Sequence, residues 1–491
     1  MQRYKNLYNA IRNATKGIFS PHFQRTFIYG ILLYTIALFA IFRGDVYYMD
    51  DIQNSVINGQ WNHYSRYLAS FLIADILPFF KGTIDLSPLP QIFSCVFMVL
   101  SSMILVQRMR GKLDLWGILA SLPLGLSPHL LQLFSYKFDS VLLLAVFFAI
   151  LPFLFKGRIF VVISILSLLC SLNIYQAGSA IYILLCLYFA FSMLFFEGKN
   201  ITQTLRFMCA CAVSLIVALL LYKLIANPID SYASDKMINF RGGGKILLSH
   251  IWIYLKWLFD DFKQTPYIVL VALNCVLFII NAVLDSNRGK ILALFCAIAF
   301  IVCGICMSYG LYLLLERQSF EPRYFFGFGA FVAVVSIFNV SSSNKILRCV
   351  AYVLAVVMAY FLISFANIYG NALTKQEQYL QFRAELLLKD LSVAIPLNAN
   401  AMVDLRINLK YHLATQAFIN KYGGISRLIP KVAKNDWWFY LRLRHLNAPY
   451  NFDYTDMCKF MEERFDGRIV LENIYHKVRL VKNCYIVDVK G

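Results

Sequence analysis

The chain is built from long apolar runs separated by short polar turns. The apolar residues within each run are continuous rather than alternating, which indicates helices, and roughly 20 apolar residues carry a helix across the bilayer core. The pattern predicts about eleven membrane spans, with nine as the lower bound because two of the runs are short. The predicted spans are residues 26–42, 89–106, 114–127, 140–155, 159–174, 178–196, 205–225, 266–284, 290–308, 324–340 and 345–365.

Two stretches do not fit a membrane span. Residues 67–80 are apolar but too short and carry Asp75, which is typical of an amphipathic helix lying in the membrane interface. After residue 366 no membrane-length run occurs, and helical periodicity gives way to strand-like alternation towards the end. We therefore predict an all-α polytopic membrane domain over 26–366, followed by a small α+β domain over 367–491.

Charge sorts the turns into two sides. Of the 491 residues, 59% are hydrophobic and only 15% are charged, which excludes an ordinary soluble protein. The net charge of +19 does not indicate nucleic-acid binding, because many basic residues lie in short alternate turns, the positive-inside pattern. The turns between them hold most of the acids outside the tail. This predicts a cytoplasmic segment 1–25, an external loop 43–88 and an external C-terminal domain.

Two adjacent carboxylates, Asp50 and Asp51, lie just after the first apolar run, in RGDVYYMDDIQN. A carboxylate at the membrane surface can act as a general base on a hydroxyl if its pKa is suitably placed. A solvated acidic loop is the alternative for the motif taken alone.

Polar side chains also collect at other turns assigned to the external side, in SYKFDS, NIYQAGS and LERQSFEPRY. Ionisable groups at membrane depth are costly and usually mark function, although snorkelling anchors or interhelical hydrogen bonds account for each one singly. Together they offer carboxylates for a base, cations for a phosphate and aromatic faces for a sugar. The candidates are Trp61, Arg66, Tyr136, Lys137, Asp139, Tyr175, Gln176, Arg317, Glu321 and Arg323.

Cysteine and histidine do not point to a metal site. Most of the 12 cysteines lie in apolar runs, where a buried thiol behaves as a small hydrophobic group. Cys458 and Cys484 lie in the polar tail and could pair in an oxidising compartment, but spacing alone does not decide it. The histidines show no metal-ligand spacing, so we expect no metal and no cofactor.

Three stretches carry a family resemblance: YYMDDIQNSVINGQWNHYSRYL at 47–68, LSPHLLQLFSYKFDS at 126–140 and IYQA at 174–177. They resemble the GT-C superfamily of integral-membrane glycosyltransferases, which carry an acidic motif in the first external loop. Within it they are most similar to the bacterial serotype-converting O-antigen glucosyltransferases, which are often phage-encoded. The resemblance extends over roughly residues 26–330.

The resemblance implies a reaction at the periplasmic face of the bacterial inner membrane. Glucose would pass from undecaprenyl-phosphate-glucose to a hydroxyl of the lipid-linked O-antigen repeat, with inversion, Asp50 or Asp51 acting as the base. A flippase and a polyprenyl-phosphate glucose synthase would supply the donor, and membrane lipids would surround the enzyme. The implied donor-phosphate ligands are Arg66, Lys137, Arg317 and Arg323. The implied sugar or acceptor contacts are Trp61, Tyr136, Asp139, Tyr175, Gln176 and Glu321.

Two alternatives remain open at this stage. Another GT-C enzyme could use a different polyprenyl-phosphate sugar or a different acceptor, because donor specificity depends on pocket shape. An O-antigen polymerase or flippase is the alternative from another class. A transporter is expected to show mid-span polar residues and a repeat between its halves, neither of which is evident here.

Overall fold

The computed structural model describes residues 21–56, 61–79, 82–227, 243–316, 320–396, 401–430, 437–453 and 457–491. Within them, eight helices are long and apolar enough to cross a membrane, which confirms the predicted polytopic helical class. They are Pro21–Gly44, Leu89–Arg110, Gly157–Ile174, Gln176–Phe195, Ile201–Ile225, Pro266–Asp285, Lys290–Met307 and Lys345–Ala394.

Three predicted spans differ from the expectation. Residues 114–127 belong to a pair of helices, Leu115–Leu126 and Pro128–Ser135, bent by 55°. Residues 140–155 and 324–340 form the shorter helices Asp139–Leu154 and Phe326–Asn339. Every residue of Phe326–Asn339 is buried, so this helix packs inside the protein. By length and composition, the described residues therefore contain eight helices able to span a membrane, or nine if the bent pair is one span, beside a prediction of nine to eleven.

Most of the predicted polar residues lie on or next to short helical segments near the ends of these helices. Residues 67–80, expected to form an interfacial helix, contain a helical stretch over Tyr67–Ile76 whose Phe71 and Ile76 are exposed. A further helix, Gly243–Phe262, lies between the helices Ile201–Ile225 and Pro266–Asp285. The short turns are Asp51–Val56, Trp61–Tyr64, Leu131–Ser135, Asp139–Leu143, Gln176–Gly178, Gly310–Leu314 and Pro322–Tyr324.

The 50-residue helix Lys345–Ala394 connects the membrane core to the C-terminal domain. It packs against Pro21–Gly44, and near its middle Gly370 lies so close to that helix that a Cβ would be 2.8 Å from the backbone nitrogen of Ile41. Its second half belongs to a separate hydrophobic core that includes the C-terminal strands. The helix continues through residue 366, so one rigid element belongs to both parts.

The C-terminal domain is a five-stranded mixed sheet with helices, as the predicted α+β class requires. The strands are β1 (Met402–Ile407), β2 (Asn451–Phe452), β3 (Arg468–Glu472), β4 (His476–Val481) and β5 (Cys484–Val489). They are ordered β2-β1-β5-β4-β3, with β1 parallel to β2 and β5 and the remaining pairs antiparallel. The helices are Leu413–Tyr422, Trp437–His445 and Met457–Glu462.

A disulfide joins Cys458 to Cys484, with 5.5 Å between their Cα atoms. It connects the helix Met457–Glu462 to β5, and both cysteines are fully buried. The pairing that the sequence left open is therefore present in the structure.

Candidate functional site

The two adjacent carboxylates have different environments, and Asp51 is the buried one. Its carboxylate accepts hydrogen bonds from the backbone N–H groups of Tyr48 at 3.0 Å, Lys137 at 2.9 Å and Phe138 at 3.4 Å. Burial raises the pKa of Asp51, although these three donors act in the opposite direction. Asp51 therefore ties the loop after the first helix to the turn at 137–138, and its oxygens are occupied.

Replacing Asp51 by Asn is expected to destabilise the protein by roughly 1–3 kcal/mol, because an amide nitrogen would face buried N–H donors and leave at least one unsatisfied. The measurement is thermal unfolding of the purified protein in detergent. Asp75→Asn, the same change at an exposed position of the same loop, is the control. Equal unfolding temperatures for the two variants would show that Asp51 is not a structural connector.

The side chain of Asp50 has different surroundings from that of Asp51. Among the described residues, no donor lies within hydrogen-bonding distance of its side chain, which is partly buried. Burial raises the pKa of Asp50 to about 6, while Arg323 and Arg66 lower it and Asp139 and Glu321 raise it. A carboxylate without hydrogen-bond donors and with a pKa near neutrality is well suited to accept a proton.

Arg323 lies on the turn Pro322–Tyr324. Its positive charge acts on the carboxylate of Asp50. Its Nη1 donates to the hydroxyl oxygen of Tyr136 at 2.7 Å, and its guanidinium lies beside the rings of Tyr136 and Tyr324. The nearest carboxylate oxygen, Oδ2 of Asp139, is 3.9 Å away. Aromatic rings rather than a close ion pair thus hold this cation, and much of its charge remains available to an anion.

Arg66 is held in a similar way. Its guanidinium carbon lies 4.6 Å from the ring centre of Tyr175 and 5.3 Å from that of Tyr64. In the described part of the chain it makes no ion pair with a carboxylate. Arg66 and Arg323 both act electrostatically on Asp50, so the structure brings two cations to the same carboxylate. Such an arrangement can bind a phosphate by charge-assisted hydrogen bonds.

Lys137 does not belong to this pair of cations. Its ammonium lies 2.6 Å from Asp45 and 2.7 Å from Asp85, and 3.9 Å from the ring centre of Tyr47. Burial raises the pKa of Asp85, but hydrogen bonds from Lys137, Ser87 and Tyr47 outweigh it and the net pKa is lowered. Two carboxylates therefore neutralise Lys137, which joins both ends of the loop 43–88 to the turn at 137–138 instead of presenting a free charge.

The predicted sugar contacts divide into two groups. Trp61 and Asp139 are both buried, and the indole Nε1 donates to Oδ1 of Asp139 at 2.7 Å. Gln176 donates to the hydroxyl of Tyr222 at 2.7 Å, which is the interhelical hydrogen bond that the sequence left as an alternative. Tyr136 and Tyr175, in contrast, contact Arg323 and Arg66 directly, so these two residues line the cation pair.

The remaining predictions concern Arg317, Glu321 and metal binding. Arg317 lies outside the described residues. Glu321 precedes the turn that carries Arg323 and contributes negative charge near Asp50. Over the described ranges, no group of three or more His, Cys, Asp or Glu side chains is arranged to hold a metal ion.

Sequence reasoning missed a buried network that fastens the C-terminal domain to the membrane domain. Asp261 accepts hydrogen bonds from Nε and Nη2 of Arg427 at 2.8 and 2.7 Å, and Nε2 of His129 lies 2.8 Å from the same carboxylate. Beside Arg427, the backbone oxygen of Leu428 accepts a hydrogen bond from Tyr48 of the acidic loop. His129 stood inside a recognised stretch, but its partners are distant in sequence and carry no local signal.

Comparison with known proteins gives one match. Residues 38–334, more than half of the chain, match the family described as glucosyl transferase GtrII. Asp50, both arginines and the tyrosines around them lie inside the matched range, whereas Arg427 and the C-terminal domain lie outside it. No curated protein and no solved structure matches the chain.

Proposed function

We propose a function from the premise that the chain belongs to the glucosyl transferase GtrII family, and is therefore a membrane glycosyltransferase. The reaction we propose is transfer of glucose from undecaprenyl-phosphate-glucose to a hydroxyl of the O-antigen repeat, at the periplasmic face of the bacterial inner membrane. The observation that carries this proposal is the environment of Asp50. Its carboxylate has no hydrogen-bond donor among the described residues, its pKa is raised to about 6, and the charges of Arg66 and Arg323 act on it.

In the proposed mechanism, Asp50 accepts the proton of the acceptor hydroxyl as its oxygen attacks the anomeric carbon of glucose. A new glycosidic C–O bond forms while the C–O bond to the lipid phosphate breaks. The leaving phosphate carries the negative charge, which Arg66 and Arg323 stabilise. Because attack and departure occur on opposite faces of the sugar, a single displacement inverts the anomeric configuration.

Two features support the periplasmic side. Disulfides persist in oxidising compartments such as the bacterial periplasm, and the Cys458–Cys484 bridge lies in the C-terminal domain. The hydrogen bond from Tyr48 of the loop with Asp50 to the backbone oxygen of Leu428 supports one side of the membrane for that loop and the C-terminal domain, and the basic turns on the other side support the external one. A donor made in the cytoplasm would then require a flippase and a polyprenyl-phosphate glucose synthase as functional partners.

The family match weighs against the polymerase and flippase alternatives. A GT-C enzyme with another sugar or acceptor would use the same base and cations, so the test must identify the transferred sugar. The chain is expressed in a strain whose O-antigen is defined and lacks branch glucose, and its lipopolysaccharide is analysed for sugars. We expect a gain of glucose with the wild type and none with Asp50→Asn. A gain of another sugar, or no gain with properly inserted wild type, would contradict the proposal.

The rate of transfer is expected to depend on the ionisation of Asp50. Because a base must be deprotonated, kcat/KM should rise with pH through a midpoint near 6, the raised pKa of Asp50, and level off above it. The measurement is a pH profile of kcat/KM for purified enzyme, with stability checked at each pH. A profile that stays flat through this range would argue against Asp50 as the base.

A further inference from the structure

An open cavity lies where the acidic loop meets the C-terminal domain. Its volume is about 470 Å³, including the part open to solvent. Tyr47 and Met49 of the loop form one wall, Glu377 of the long helix forms another, and Trp438 and Arg442 of the helix Trp437–His445 close it. None of these residues belongs to the cation pair around Asp50.

Met49 separates this cavity from the cation pair. It lines the cavity, and its sulfur also accepts a hydrogen bond at 3.4 Å from Tyr136, the hydroxyl that Arg323 contacts. Its φ of 45° lies in the left-handed region that few non-glycine residues adopt, so the chain turns sharply just before Asp50. Asp50 is therefore the next residue in the chain after Met49, which lies between the cavity and the two arginines.

The cavity suits an uncharged ligand. Arg442 is buried and forms a two-pronged ion pair with Glu377, one contact being 2.8 Å from Nη2 to Oε2. Among the described lining residues, no cation is left without a carboxylate, so a phosphate finds no counter-charge here. The indole of Trp438 offers an apolar face for a sugar ring, and the ion pair offers donors and acceptors for hydroxyl groups.

We propose that this cavity binds the acceptor saccharide, holding one pyranose ring next to the hydroxyl that receives glucose. This inference rests on the proposed function and extends it. Inverting displacement requires the acceptor and the leaving phosphate on opposite sides of the anomeric carbon, and the loop with Asp50 has a neutral cavity on one side and two arginines on the other. Glu377, Trp438 and Arg442 lie outside the matched range 38–334, so part of acceptor recognition is assigned to residues beyond that range.

The test is saccharide binding to the full-length protein in lipid nanodiscs, measured by saturation-transfer NMR. The probe is O-polysaccharide released by mild acid from lipopolysaccharide without branch glucose. Trp438→Ala is expected to weaken binding about tenfold, and Trp438→Phe, which keeps an aromatic face, should bind nearly as well as wild type. Trp437→Ala, the same change at the exposed neighbouring residue, is the matched control and should bind like wild type.

Binding and transfer are measured separately so that the two proposals can fail independently. If wild type binds the saccharide through Trp438 but transfers no glucose, the proposed function fails and the saccharide site stands. If wild type does not bind, or if Trp438→Ala binds as well as Trp437→Ala, the site is overturned whether or not glucose is transferred. Should Trp438→Ala not fold, Leu373→Phe, which fills the cavity from the long helix, must give the same loss of binding for the proposal to hold.

Discussion

Asp50→Asn is expected to lower kcat for glucosyl transfer by about 10³-fold, within the range attributed to a general base. The substitution keeps the shape of the side chain but removes the group that accepts the hydroxyl proton. The described structure shows no hydrogen bond to the Asp50 carboxylate, so the variant should fold and insert as wild type does. The measurement is kcat with purified protein at saturating donor and acceptor, at a pH above the pKa of Asp50.

Asp75→Asn controls for the loss of a negative charge on the same external loop, because Asp75 is exposed and distant from the cluster in the chain. It should leave kcat unchanged. Asp51→Asn gives a second comparison. It should lower the amount of folded protein, whereas the rate of transfer per folded molecule should change less. A rate for Asp50→Asn close to that of wild type would remove Asp50 from the mechanism.

Arg323→Gln is expected to lower kcat by about 10²-fold to 10³-fold, as loss of one group that stabilises transition-state charge does. In the proposed mechanism, negative charge grows on the phosphate as its C–O bond to glucose breaks, and Arg323 is a cation with only a 3.9 Å contact to a carboxylate. Arg323→Lys keeps the charge but loses the planar fork that binds phosphate oxygens in pairs, so it should recover only part of the rate. The measurements are kcat and the KM for each substrate.

Arg468→Gln is the matched control for this prediction, because Arg468 is exposed at the start of β3 in the C-terminal domain. It should leave kcat and both KM values unchanged. If Arg323→Gln raised only the KM for the acceptor and left kcat and the donor KM unchanged, Arg323 would contact the acceptor and not the leaving phosphate.

The sequence predicted the membrane class and the sites of most helices, but not which helices face lipid. Each predicted span corresponds to helical residues in the structure, because continuous apolar runs suit a helix in lipid and in a protein interior alike. Phe326–Asn339 shows the difference, since all of it is buried in the protein and hydropathy alone does not report that. The bend between Leu115–Leu126 and Pro128–Ser135 falls at Pro128, and proline breaks helices.

The acidic pair was recognisable from the sequence, whereas the roles within it depend on contacts that are distant in the chain. Asp51 is occupied by backbone groups of Lys137 and Phe138, and no local pattern reveals such partners. Lys137 was predicted to bind the donor phosphate, yet Asp45 and Asp85 neutralise it. Residue type indicated which chemistry was available, and the fold determined which side chains remained available for it.

The most direct test of the central claim is transfer from a defined donor by the purified chain. Undecaprenyl-phosphate-glucose labelled in the sugar is supplied with O-polysaccharide that lacks branch glucose, and the label in the polysaccharide is counted over time. The account predicts label in the polysaccharide with wild type, with inverted anomeric configuration, and about 10³-fold slower labelling with Asp50→Asn. Label that stays on the lipid with folded wild type, or equal rates for the two proteins, would contradict it.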